Sequence, residues 1–114
     1  MAIAVKMYEG IQSIFANEVN PKERVVCRVT KLHSGTAQNI VPDYALMQGT
    51  IRTLNVPVSE HIHDRMQKLA KSLSDLYGVE IKVHAPLKST CVYNNPYLSE
   101  LMLESMAKVV GKEN

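Results

Sequence analysis

The sequence predicts an α+β domain, a two-layer sandwich in which an antiparallel sheet carries its helices on one face. Three observations carry that expectation. Several stretches place apolar residues three and four apart, others alternate apolar with polar residues, and the order is helix, strand, strand, helix, strand, extended tail, helix. With 114 residues, 46% of them hydrophobic, the chain can bury one core and is too short for two ordinary domains.

The first helix is expected over 2–15, where Ala4, Met7, Tyr8, Ile11, Ile14 and Phe15 line one face and Gly10 weakens it slightly. Asn20 and Pro21 mark a turn. Valine-rich 24–33 is the first strand, followed by a loop over 34–43 in which Pro42 cannot donate to a ladder. In the next strand, 45–54, a period of two sends Leu46, Gln48, Thr50 and Arg52 to one face and Met47, Gly49 and Ile51 to the other. Pro57 and Ser59 announce a second helix, with Ser59 as its N-cap, and Ile62, Met66, Leu69, Ala70, Leu73, Leu76 and Tyr77 make its apolar stripe. Gly78 closes it in a left-handed conformation. Val79, Ile81, Val83 and Ala85 alternate with Glu80, Lys82 and His84, the pattern of a strand buried on one face. After an extended piece running to Tyr93, Asn95 and Pro96 start a last helix bearing Leu98, Leu101, Met102, Met106 and Val109, and Gly111 ends it. This order is one strand short of the ferredoxin-like β-α-β-β-α-β unit, the missing strand being the first.

The bulk composition narrows the functional classes. A net charge of +2 with no run of like charges gives no phosphate-binding surface, so nucleic acid is not an expected partner. No apolar stretch approaches the ~20 residues that cross a bilayer, and the first residues lack a signal-peptide pattern, so a cytoplasmic chain with no membrane partner is expected. Cys27 and Cys91 have no paired spacing and read as small apolar fillers in a reducing compartment.

Candidate chemistry is sparse. His61-Ile62-His63-Asp64 looks like a ligand cluster, but helical residues two apart point about 200° away from each other, so the plainer reading is solvated side chains in a first turn. His84 alternates outward, and His33, beside the Ser34-Gly35 turn, could reach a ligand but reads more simply as structural. No catalytic residue and no metal ligand emerges, and Cys91 has no nearby cation or helix start to activate it. Asn39 and Arg52 remain. A guanidinium fork binds a carboxylate through parallel hydrogen bonds and an amide offers both donor and acceptor, so the two suit an acyl amino acid or a peptide C-terminus. The plainer alternatives are a surface ion pair for Arg52 and a turn-bonding side chain for Asn39.

The string from His33 through Ser34-Gly35-Thr36-Ala37-Gln38-Asn39-Ile40-Val41-Pro42-Asp43, followed by Gly49-Thr50-Ile51-Arg52-Thr53, resembles the lid, or dimerisation, domain of the zinc-dependent aminoacylase and carboxypeptidase family of amidohydrolases. That family's pattern is a Gly-Gly turn, Ala-x-Asn-x-Ile-Pro-Asp, then Gly-Thr-x-Arg. The likeness is greatest to hippurate hydrolases and plant auxin-conjugate hydrolases and covers nearly all the chain, although only these two motifs are specific.

The resemblance implies a substrate-binding role for Asn39 and Arg52, a tight turn at Gly35, where Ser34 departs from the family's first glycine, and close strand packing at Gly49. It further implies a homodimer whose lids each reach toward the partner's active site, residues 1–94 as lid and 95–114 as a helix returning to a catalytic domain. Zinc or a similar divalent metal, held by a His-x-Asp, a Glu-Glu pair and further ligands, would belong to that domain and to no residue of this chain. The lid's first strand, with a Gly-x-x-x-His element, is expected just before Met1. Its neighbours would then expose unpaired amides, and the tail at 90–93 or a strand from a second copy is expected to fill the gap. The rival expectation is a free-standing ferredoxin-like dimer that binds a small acidic metabolite.

Overall fold

The computed structural model describes residues 1–86 and 91–111. Five elements follow in order: α1 (Ala2–Glu18), β1 (Val25–Ser34), β2 (Ala45–Thr53), α2 (Val56–Tyr77) and α3 (Pro96–Val110). The fold is α+β, as expected: β1 and β2 form an antiparallel ladder against which α1 and α2 pack from one side.

The core follows from the helical spacing. Met7 and Ile11 of α1 meet Ile62 and Ala70 of α2 and Cys27 of β1, and every one of them is buried. Ile62, 1% exposed, is the most deeply placed, and trimming it to alanine would cost about 2–5 kcal/mol. From β2, Met47 and Ile51 pack onto this cluster while Arg52 on the other face is exposed, so the period of two is realised. The pattern fails at Tyr8, within the first stripe and 40% exposed, and at the end of the second, where Leu76 is 71% and Tyr77 42% exposed.

Both helices start or stop differently from expectation. The first runs three residues past Phe15 to Glu18. The second begins at Val56 with Asn55 as N-cap, not at Ser59. Pro57 explains this, because a proline in the first turn lacks only an N–H that has no helical partner there. The amide N–H of Asn55 donates to Thr53 Oγ1 at 3.0 Å, which turns the chain from strand into helix. Gly78 closes α2 at φ 64°, and its N–H reaches the carbonyl of Ser74 at 2.9 Å.

The register pairs Val25 with Thr53, Val26 with Arg52, Val29 with Gly49 and Ser34 with Ala45, with a bulge at Thr30. Gly49 sits beside that bulge, where a Cβ would collide with the carbonyl oxygen of Arg28 across the ladder.

Residues 79–85 are not a strand, and this corrects the expectation. Their alternation is present: Val79, Ile81, Val83 and Ala85 are half-buried, Ile81 and Val83 pack against the core, and Glu80 and Lys82 point outward together in an ion pair of 3.1 Å. What they lack among the described residues is a neighbour to bond. The two-stranded sheet ends at β2, and the inner position that the ferredoxin-like unit gives its first strand has no described occupant. Cys91, Val92 and Tyr93 are exposed and unpaired with any strand, so they do not fill that position, and Thr90 lies outside the described residues.

Asn95 caps α3 through its side-chain oxygen, which accepts from the amides of Tyr97 at 3.0 Å and Leu98 at 3.3 Å. No residue of α3 is buried, although Leu98, Leu101, Met102, Leu103 and Met106 make one broad apolar face. Among the described residues α3 packs on no other element, which stretches the chain to 69 × 30 × 21 Å. A helix with so broad an apolar face, set against the charged stripe of Glu100, Glu104 and Lys108, is the kind that packs that face onto a partner.

Candidate functional site

The hairpin has two ends, and each carries one of the residues singled out. At the tip, Gly35 takes φ 82° and starts the loop, the N–H of Ile40 donates to the carbonyl of Ala37 at 3.4 Å, and Ser34 Oγ donates to the carbonyl of Tyr44 at 2.9 Å to close the neck. Ser34 thus ties the hairpin through its hydroxyl. Asn39 is exposed on this loop beside Ile40 and Val41, and its amide makes no hydrogen bond among the described residues, so it does not hold its own turn.

Arg52 lies at the other end, on the helix-free face of the sheet. There the hairpin forms an open depression of about 470 Å³, bordered by Arg24, Val26, Arg52 and Leu54. Val26 and Leu54 give it an apolar surface, being 47% and 61% exposed. None of the described ion pairs involves Arg52 or Arg24. The surface salt bridge that was the plainer reading of Arg52 is absent among the described residues.

The structure does not bring Asn39 and Arg52 together within one chain. Arg24, by contrast, carries no motif, and only the ladder shows it close to Arg52: it precedes Val25, the partner of Thr53. The signal available in sequence was its spacing two residues before Val26.

The histidines go to separate partners. His61 Nε2 lies 3.2 Å from Glu18 Oε2, and His63 Nε2 lies 2.8 Å from Gln67 Nε2. Glu18 also accepts from Arg65 Nε at 2.6 Å and from Nη2 at 2.9 Å, clasping the end of α1 to α2. The guanidinium of Arg65 foremost, with His61 adding to it, holds the Glu18 carboxyl below its ordinary value. Among the described residues no three His, Cys, Asp or Glu side chains gather as metal ligands would, so zinc does not fit these groups. Cys27 is buried in the core and its thiol is pushed up by that burial, whereas Cys91 is exposed and donates to the carbonyl of Leu54 at 3.1 Å, which corrects its reading as a filler.

The helix-backed sheet thus offers a guanidinium at one end and an amide at the other. No family model matches the chain. Its sequence is 35% identical to thermostable carboxypeptidase 1 of Saccharolobus solfataricus over 97% of this chain and 29% of that protein. It is 34% identical to an N-acetyldiaminopimelate deacetylase of Geobacillus thermodenitrificans over 84% of this chain and 26% of that protein. A deacetylase of the same name from Listeria innocua is 30% identical over 88% of the chain and 27% of its own length. Along nearly its whole length the chain is therefore similar to carboxypeptidases and deacetylases of the amidohydrolase group, and it spans under a third of the relatives it matches. No helix among the described residues is long and apolar enough to cross a membrane.

Proposed function

We propose that the chain is the lid and dimerisation part of a metal-dependent amidohydrolase that cleaves the amide bond of N-acyl amino acids or small peptides. The observation that carries this is Arg52, a guanidinium without a carboxylate partner among the described residues, beside an open, partly apolar depression. A bidentate bond to a substrate carboxylate gives that group the counter-ion it lacks. The matched relatives are named as a carboxypeptidase and as N-acetyldiaminopimelate deacetylases, which supports amide cleavage in N-acyl amino acids or peptides. The division is lid for residues 1–94 and, for 95–114, a helix returning to the catalytic domain, whose apolar Leu98, Leu101 and Met102 then find cover. The metal and its activated water belong to that domain.

Two copies associate through their lids, which supplies strand pairing for the open edge of β2 and apolar cover for Ile40 and Val41, 60% and 92% exposed. Alone, the chain orients substrate and does no chemistry. Incubating it with zinc and an N-acyl amino acid checks this: the reading expects binding without hydrolysis, and hydrolysis would overturn it. Sedimentation equilibrium is expected to show a dimer, and a monomer at high protein concentration would count against the lid association.

A further inference from the structure

We propose that Arg24 and Arg52 together form a two-cation clamp for a dicarboxylate with a short apolar spacer. Resting on the reading of Arg52 given above, the substrate class becomes an N-acyl amino acid whose side chain carries a second carboxylate.

The ladder places the two guanidiniums. Arg52 faces Val26, and Arg24 lies two residues before Val26, immediately outside the start of β1. Diagonal neighbours of that kind are separated by about 7–8 Å across an antiparallel pair, within reach of one small ligand. Both line the same depression, and neither has a carboxylate partner among the described residues. One guanidinium fork satisfies one carboxylate, so two forks on a shared rim match two carboxylates. Val26 and Leu54, exposed within the same depression, suit a methylene run joining them. Arg28, the next cation along β1, is not available in the same way, for its guanidinium lies 5.9 Å from the ring of Phe15. Glu23 also borders the depression. Its Oε1 accepts from Asn55 Nδ2 at 3.3 Å, which draws the carboxylate toward the start of α2.

The test is a titration of the 114-residue chain, followed through its arginine Nε–Hε resonances, with N-acetylglycine and N-acetylglutamate in parallel. The clamp predicts that N-acetylglycine shifts Arg52 alone, while N-acetylglutamate shifts Arg24 and Arg52 and binds about fivefold more tightly, the size of one solvent-screened ion pair. Arg24→Gln then removes the difference between the ligands without changing the affinity for N-acetylglycine, and Glu23→Gln strengthens N-acetylglutamate binding. Equal affinities for the two ligands, or equal weakening of both by Arg24→Gln, would overturn the clamp while leaving Arg52 as a carboxylate site. Silence of Arg52 toward both ligands would overturn the reading of Arg52 itself.

Discussion

Asn39 and Arg52 stand at opposite ends of the β1–β2 hairpin, one on the loop beyond the Ser34–Ala45 pair and the other facing Val26. The seven residue steps from Ala45 to Arg52 alone span about 23 Å, too far for one small substrate to touch both within a chain. In the proposed dimer they therefore serve one substrate from two subunits. Mixing full-length Asn39→Ala and Arg52→Ala subunits, each strongly impaired by itself, then restores roughly one quarter of the wild-type turnover, because half of the dimers are mixed and each mixed dimer keeps one intact site. Turnover that stays at the level of the single variants would place both residues in the same subunit's site or in none.

The clasp of Glu18 with Arg65 and His61 makes part of the stability depend on pH. Because the folded carboxyl titrates below its ordinary value of 4.5, its stabilisation is fully present above that value and is lost as pH falls through the folded pKa. Glu18→Gln is expected to lower Tm slightly at neutral pH and to flatten the fall in Tm below about pH 4.5, with the difference shrinking in high salt. Melting curves of both proteins from pH 3 to pH 7 provide the comparison.

Gly49 lies where the bulge brings the backbone of Arg28 and Val29 against it. Gly49→Ala forces the ladder apart and is expected to cost about 1–3 kcal/mol, read as a lowered urea midpoint with an unchanged slope.

Of the two thiols, only one is accessible. Cys27 is 3% exposed and its thiol is raised by burial, while Cys91 is exposed. A thiol reagent at pH 8 is expected to modify Cys91 in the native protein and to reach Cys27 only after denaturant is added. Cys91→Ser leaves the native protein unreactive.

Much of this architecture can be read from residue spacing, because helical and strand periods record which face meets the core. The stripes through Met7, Ile11, Ile62 and Ala70 and the alternation along β2 are of that kind. Periodicity says nothing about hydrogen-bonded neighbours, which is why 79–85 alternates like a strand without being one. Nor does it find the start of α2, since Ser59 resembles an N-cap while Pro57 is tolerated inside the first turn. The bulge at Thr30 leaves its trace on the other strand, as Gly49. Arg52 and Asn39 stand out through their motifs, but the separation between them, and the company of Arg24, depend on a register fixed only by pairing.

Hydrolysis of an N-acyl amino acid and of its C-terminal amide, by the full-length enzyme with and without Arg52→Ala, bears most directly on the role of Arg52. If the guanidinium holds the substrate carboxylate, removing either partner lowers kcat/KM by about 30- to 100-fold and removing both lowers it no further, while Tm stays unchanged. Independent losses that multiply, or a variant that melts several degrees lower with its preference for the acid intact, would show that Arg52 supports the fold and does not grip the substrate.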